Sequence, residues 1–131
     1  TNVGPLTLEA RATSYQVQPV VDGYIKVNGT TIKTTNLAAV SRGHTLAVIS
    51  PAGATVGSIT TFDTYNGTTE QNAFAAALSA VASGNYIVVT TWDACAVNAA
   101  IRAALVVGYG ATLSTTWAPT RYSHIFIGKK I

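Results

Sequence analysis

The sequence predicts an α+β domain in which antiparallel β-sheets carry two helices on one side. Two observations support this prediction. Short β-prone runs are separated by turn signals, and two later stretches place apolar residues at helical spacing. The predicted order is several strands, a helix, a buried strand, a helix and a final strand. A chain of 131 residues is long enough for one domain with one hydrophobic core.

The first part of the chain predicts a strand followed by a β-hairpin. Leu6–Tyr15 alternates apolar and polar side chains, which is the period of a half-buried strand. Tyr24–Val27 and Thr30–Thr34 are β-prone and flank Asn28-Gly29. Asn-Gly between two such runs favours a tight hairpin turn.

A second hairpin is predicted next. Leu46–Ile49 is a short apolar run that ends at Ser50–Gly53, where proline and glycine indicate a turn. Thr55–Thr64 returns as a strand rich in Thr, Ile and Val.

The first helix is predicted over Thr69–Ser83. Thr68 and Gln71 have the spacing of a capping box, and Gly84 is a suitable C-terminal stop. The apolar stripe of this helix has i, i+4, i+7 spacing and consists of Phe74, Leu78 and Val81.

The next strand, Asn85–Trp92, is nearly continuous in apolar residues, so we expect a central strand that is covered on both faces. Asp93 ends this strand and is predicted to cap the following helix. Cys95 is expected in the first turn of that helix, with its side chain towards the core.

The second helix is predicted from the i, i+4, i+8 spacing of Val97, Ile101 and Leu105. It is expected to stop near Gly108 or Gly110. A loop through Trp117–Pro119 then leads to the last predicted strand, Tyr122–Ile127.

Composition excludes several classes of protein. Only 10% of the residues are charged, against about 25% in ordinary domains, so Thr, Ser, Asn and Gly must form much of the surface. Such surfaces are common in extracellular and virion proteins. The net charge of +3 is small and the basic residues are scattered, which argues against nucleic acid as a partner.

Other classes are excluded by what the sequence lacks. The single cysteine, Cys95, permits no disulfide within the chain and no cysteine-based zinc site. No apolar run reaches the length of a membrane span, and the first residues lack a basic start followed by an apolar run, so we expect neither membrane insertion nor a signal peptide within this sequence. We expect residues 1–131 to be one domain excised from a longer protein.

Several short motifs carry a family resemblance through their order and spacing. Arg42-Gly43 precedes an apolar strand, Phe62–Tyr65 precedes the first helix, and Arg121–Lys130 contains the last predicted strand. Trp92-Asp93 before the second helix and the exit at Gly108 fit the same pattern. Over roughly residues 20–131, the sequence resembles the interleukin-like EMT inducer domain, also called the PANDER-like domain.

The resemblance implies a fold and a range of settings. The fold would be two twisted antiparallel β-sheets packed as a compact sandwich, with two or three flanking helices. Members of the family occur as secreted cytokine-like proteins, as cell-surface modules and as a sugar-binding glycosyltransferase stem. The domain is also similar to modules of bacteriophage tail and fibre proteins, which the neutral composition favours.

Two positions depart from the family pattern. The secreted animal members rely on paired cysteines, whereas this chain has only Cys95, which argues against a vertebrate cytokine. His124 replaces an aromatic residue of the final motif. That replacement counts against a sugar site that needs this aromatic ring.

Six residues are candidates for ligand binding: Asp63, Tyr65, Trp92, Asp93, Trp117 and Arg121. Carboxylates and a guanidinium at strand ends and loops could bind sugar hydroxyls, and the aromatic rings could stack on a sugar. Each residue also has a structural alternative. Asp63 could cap the Asn66-Gly67 turn or pair with Arg42 or Arg121, Trp92 could lie in the core, and Asp93 could cap the helix.

These residues predict a non-catalytic module that binds a glycan or a cell-surface receptor, in an extracellular or phage tail setting. The alternative is a structural or protein-interaction domain. The spacing of Cys95, His44 and His124 does not support a cysteine nucleophile. Asp63 and Asp93 alone do not indicate a glycosidase pair, because their places at strand ends do not fix the distance between the two carboxylates. We therefore expect no enzyme activity, no cofactor and no metal, while the parent protein could be oligomeric.

Overall fold

The structure is a computed structural model that describes residues 5–14, 21–113, 117–118 and 120–131. Two sequence predictions, the end of the first strand at Tyr15 and the loop position Pro119, lie outside these residues. The described elements in chain order are β1 (Leu8–Arg11), β2 (Gly23–Val27), β3 (Thr30–Thr35), β4 (Gly43–Ile49), β5 (Thr60–Phe62), α1 (Thr68–Ala80), β6 (Tyr86–Trp92), α2 (Ala99–Tyr109) and β7 (Phe126–Lys129).

The strands form two antiparallel sheets, which confirms the predicted α+β sandwich. The first sheet has the order β1-β2-β3, and the second has the order β5-β4-β6-β7. The predicted Asn-Gly hairpin joins β2 to β3, and both turn residues have positive φ, 50° at Asn28 and 81° at Gly29. This conformation matches the twist of the two strands that it joins.

Helices α1 and α2 cover one face of the four-stranded sheet, and the three-stranded sheet covers the other. On the helix side, Leu46 and Val89 pack with Phe74 and Leu105 in one core cluster. On the opposite side, Val88 packs in a second cluster with residues of β2. Successive residues of β6 therefore enter different cores, which confirms the prediction of a central strand covered on both faces.

Several strands differ in extent from the sequence prediction, and β4 begins at Gly43 instead of Leu46. The segment predicted as Thr55–Thr64 forms only the short strand β5, with an isolated bridge between Thr55 and Ile49. The chain bends at Gly57, which has φ of 69°, and regular pairing with β4 covers only Thr60–Phe62. β1 is shorter than the alternating run, and β7 lies further along the chain than the predicted Tyr122–Ile127.

The predicted capping box of α1 is wrong. The residue before the helix is Gly67, which provides no side-chain cap, and the Gln71 amide instead donates to the Thr64 carbonyl at 2.9 Å. The helix also ends at Ala80, before the predicted stop at Gly84, because Val81 is already extended with ψ of 133°.

The prediction that Asp93 caps α2 is also wrong. The cap is Asn98, whose side chain accepts a hydrogen bond from the Ile101 amide at 3.0 Å. Four residues lie between Asp93 and this cap, so Cys95 and Val97 precede the helix instead of lying in it. α2 ends at Gly110, in agreement with the second of the two predicted stops. Within the described part of the chain, neither helix has the length and apolar character needed to cross a membrane.

Candidate functional site

The antiparallel order of the larger sheet brings three chain segments to one edge. β4 begins at Gly43, which pairs with Trp92 at the end of β6, and the next residue pairs with Phe62 at the end of β5. The residues before β4, after β5 and after β6 therefore meet there. These segments contain Arg42, Asp63–Tyr65 and Asp93-Ala94.

Arg42 and Asp63 form a two-pronged ion pair at this edge. Arg42 Nε donates to Asp63 Oδ1 at 2.9 Å, and Nη2 donates to Oδ2 at 2.7 Å. The hydrogen bonds that Arg42 donates to this carboxylate raise the pKa of its guanidinium above the usual value. The two side chains are 41% and 34% exposed, so the pair lies at the surface. Asp63 thus pairs with Arg42, one of the two partners that the sequence left open.

Tyr65 lies between Arg42 and Arg121. The two guanidinium carbons are 5.4 Å and 5.1 Å from the centre of the Tyr65 ring, within the range of cation–π attraction. Arg121 also donates from Nε to the Tyr65 hydroxyl at 2.9 Å and through Nη2 to the same oxygen. Its backbone amide donates to the Cys95 carbonyl at 2.9 Å, which fixes the loop against the end of β6.

Two neighbouring clefts open beside these side chains, and they share Arg42 and Asp93. The first has a volume of about 350 Å³, and its polar walls include Asp63 and Glu70. The second has a volume of about 230 Å³ and is lined by Tyr65 and Arg121 in addition to the shared residues. Four of the six sequence candidates, Asp63, Tyr65, Asp93 and Arg121, therefore lie on one continuous surface, which we call the strand-end clefts.

The two tryptophans occupy different places. Trp92 is only 8% exposed, and its Nε1 donates to the Val21 carbonyl at 3.0 Å. Most of its ring therefore lies in the core, which was one of the two predicted alternatives. The exposed part of the residue borders the larger cleft. Trp117 lines neither strand-end cleft. Its half-buried ring packs at 4.8 Å from the ring of His124, beside the helix-side core. Neither indole is thus an open stacking surface at the clefts.

The larger cleft also contains residues that were not predicted as site residues, among them Glu70, Leu37 and Val40. Glu70 lines the cleft and accepts a hydrogen bond from the Asp63 amide at 3.1 Å. In the sequence, Glu70 was visible only as an acidic residue near the start of a helix. Leu37 and Val40 lie on the cleft wall and are 79% and 80% exposed. Val40 also has φ of 52°, an uncommon value for a β-branched residue. No motif or spacing in the sequence indicated these two residues.

A second, buried cluster lies below the clefts, and sequence spacing did not predict it. His44 on β4, Cys95 after β6 and His124 before β7 place their ligand atoms within 4.8 Å of one another. Burial lowers the pKa of His44 well below its usual range and that of His124 to about 4. Burial also raises the pKa of the Cys95 thiol to about 12. All three side chains are therefore neutral near pH 7.

A sequence model of the interleukin-like EMT inducer family matches residues 42–130. The match covers more than half of the chain. It includes all four strands of the larger sheet and both helices. The chain therefore belongs to the interleukin-like EMT inducer family, as its motifs predicted. Membership of this domain family indicates a protein-interaction or recognition module. Comparison with the curated proteins found no match.

Proposed function

We propose that the strand-end clefts bind carbohydrate, and that the domain is a non-catalytic recognition module of a larger extracellular or virion protein such as a phage tail or fibre. The observation that supports this proposal is the set of charged donors and acceptors around the clefts. Arg42 and Arg121 provide N–H donors, while Asp63 and Asp93 provide carboxylate acceptors.

This arrangement suits a polyhydroxylated ligand. Each sugar hydroxyl both donates and accepts, so a pair of neighbouring hydroxyls can bridge a guanidinium and a carboxylate. The Arg42–Asp63 pair and the Arg121–Tyr65 contact hold these groups in place before a ligand arrives. Prior ordering lowers the entropy that binding must overcome.

A small polar cleft supports only weak binding by one domain. We expect a dissociation constant near 1 mM, which corresponds to about 4 kcal/mol. Several copies on one fibre would raise the apparent affinity through avidity, without any new contact. The charge-poor, threonine-rich composition supports the extracellular or virion setting.

The experiment is an NMR titration of the labelled domain with a panel of neutral, amino and acidic monosaccharides and disaccharides. We expect the amide resonances of Arg42, Tyr65 and Asp93 to shift with at least one sugar. The decisive variant is Asp93→Asn, because asparagine keeps the shape and tolerates the φ of 63° at this position. Losing a hydrogen bond to a charged group costs about 1.5 to 3 kcal/mol, so binding should weaken about tenfold or more.

The matched control is Arg102→Gln on α2. Arg102 lines neither cleft and donates to the Val97 carbonyl at 3.3 Å, so its loss should leave sugar affinity unchanged. No shift with any sugar of the panel, or equal weakening by both variants, would refute the carbohydrate site. Incubation with labelled oligosaccharides should leave them intact, and turnover would refute the non-catalytic assignment.

A second candidate is recognition of a protein receptor, and the exposed residues Leu37 and Val40 favour it. Exposed apolar side chains beside a polar cleft are typical of protein-binding surfaces. In this case Leu37→Ser should reduce binding of the labelled domain to host cells, before and after glycosidase treatment of the cells. Binding that glycosidase abolishes, and that Leu37→Ser leaves intact, would favour carbohydrate instead.

A further inference from the structure

The buried cluster of His44, Cys95 and His124 brings together the two histidines and the single cysteine of the chain. The sheet register explains how they meet. His44 pairs with Thr91 in the β4–β6 ladder, and the Thr91 hydroxyl accepts a hydrogen bond from the His124 amide at 3.2 Å. Cys95 follows the same strand, and its thiol lies 3.4 Å from the Tyr122 carbonyl.

The two imidazoles are oriented by specific contacts. His44 Nδ1 lies 2.6 Å from the Thr64 hydroxyl, and His44 Nε2 lies 2.8 Å from His124 Nε2. The ring of His44 also stacks on Phe74, with ring centres 4.7 Å apart. A hydroxyl at Nδ1 leaves Nε2 facing the cluster, as is usual for metal-binding histidines.

The ring of His124 uses its two nitrogens differently: Nε2 faces His44, and Nδ1 lies on the other side of the ring. Its Nδ1 is buried, and among the described residues it has no hydrogen-bond partner. A buried polar atom without a partner costs free energy. A neutral imidazole that binds an ion through Nε2 carries its proton on Nδ1, so the buried Nδ1 of His124 would be protonated in the ion-bound form.

We propose that His44, Cys95 and His124 form a three-coordinate binding site for a soft monovalent d10 metal ion, Cu(I). Thiolate and imidazole are ligands that Cu(I) accepts, and three ligands are the number that the cluster offers. Metal–nitrogen bonds of about 2.0 Å in a trigonal arrangement place the two Nε2 atoms roughly 3.5 Å apart. The two rings therefore need to separate by less than an ångström from their present 2.8 Å.

The charge of the cluster favours Cu(I) over Zn²⁺. His44 is fully buried and Cys95 is 2% exposed, and the cluster contains no carboxylate. One thiolate, two neutral imidazoles and Cu(I) form a complex with no net charge. The same ligands with Zn²⁺ form a complex with a net charge of +1. Burying that charge costs free energy, because the surroundings have a low dielectric constant. On binding, the Cys95 S–H bond breaks, an S–Cu bond forms, and one proton is released for each ion.

The test is an anaerobic titration of the whole chain with Cu(I), in competition with a chromophoric Cu(I) chelator. We expect one ion for each chain, one released proton, and a rise in the midpoint of thermal unfolding. X-ray absorption should report one sulfur and two nitrogen neighbours. Trp117 fluorescence should fall on binding, because its ring lies 4.8 Å from His124.

Two variants should each weaken Cu(I) binding at least a hundredfold, Cys95→Ser and His124→Asn. Cys95→Ser is nearly isosteric, and the amide spectrum of each variant checks that it is folded. The control Arg102→Gln changes a charged residue of α2 outside the cluster and should leave Cu(I) affinity unchanged. Lack of one-to-one binding, unchanged affinity in folded Cys95→Ser, or tighter binding of Zn²⁺ than of Cu(I) would overturn the proposal.

Discussion

The start of β4 approaches β5 so closely that position 43 requires glycine. A Cβ atom at Gly43 would lie 2.0 Å from the Phe62 carbonyl oxygen, 2.8 Å from the Thr64 nitrogen and 2.9 Å from the Asp63 Cα. All three are backbone atoms, so no side-chain rotation can relieve the overlap. Gly43 also has φ of 108°, which L-residues with side chains rarely adopt.

Gly43→Ala is therefore expected to destabilise the domain by about 2 to 5 kcal/mol. Positive φ costs about 1 to 2 kcal/mol for a residue with Cβ, and the forced shift of β5 costs about 1 to 3 kcal/mol more. Because Arg42 precedes this residue and Asp63 follows β5, the shift should also loosen the Arg42–Asp63 pair. Sugar binding at the strand-end clefts should weaken in parallel.

The matched control is Gly29→Ala in the β2–β3 turn. Gly29 also has positive φ, 81°, but a Cβ there meets nothing within 4 Å. Only the conformational cost remains, so we expect about 1 to 2 kcal/mol. Urea unfolding, followed by circular dichroism, measures both values. If Gly43→Ala costs no more than Gly29→Ala, the close approach of β4 to β5 is not as described.

Three further variants test other contacts. Asn98→Ala should cost about 1 kcal/mol in urea unfolding, because it removes the only side-chain cap among the two described helices. Asp63→Asn should cost about 1 kcal/mol or less, and less still at high salt, because the pair with Arg42 is exposed; unfolding of the variant would contradict this. Burial raises the pKa of the Tyr109 hydroxyl from 10.0 to about 12. The neutral side chain therefore contributes fully to the stability of the fold below pH 10, and this contribution falls as the pH rises towards 12. Tyr109→Phe should make the loss of stability between pH 10 and 12 shallower than in the parent, and equal slopes would contradict the burial of this hydroxyl.

The sequence predicted most elements because their signals are local. The Asn28-Gly29 turn, the apolar run of β6 and the apolar spacing in both helices each depend on neighbouring residues alone. The errors fall at the helix starts, where more than one nearby residue could serve as the cap. Gln71 met the capping-box spacing, but its amide donates to the Thr64 carbonyl in the preceding loop. Asp93 followed a strand and preceded a helix, but the loop between them is long enough for Asn98 to take the cap.

The candidate site shows the same division. Short motifs identified Asp63, Tyr65, Asp93 and Arg121, because charged and aromatic residues at strand ends are visible in a sequence. Their partners were not visible. Arg42 and Arg121 were both possible partners of Asp63, and only the register of β4 against β5 places Arg42 beside it. Trp92 lies mostly in the core for the same reason, since it pairs with Gly43 inside the sheet.

The sequence by itself determined the fold class, the family and the residues that could form a polar surface, because hydrophobic period, turn chemistry and motif order are properties of short segments. Only the tertiary structure decided which of those residues meet. His44, Cys95 and His124 are far apart in the chain, yet pairing of β4, β6 and β7 brings their ligand atoms within 4.8 Å. Strand pairing depends on long-range hydrogen bonds and packing, and a single sequence does not display them.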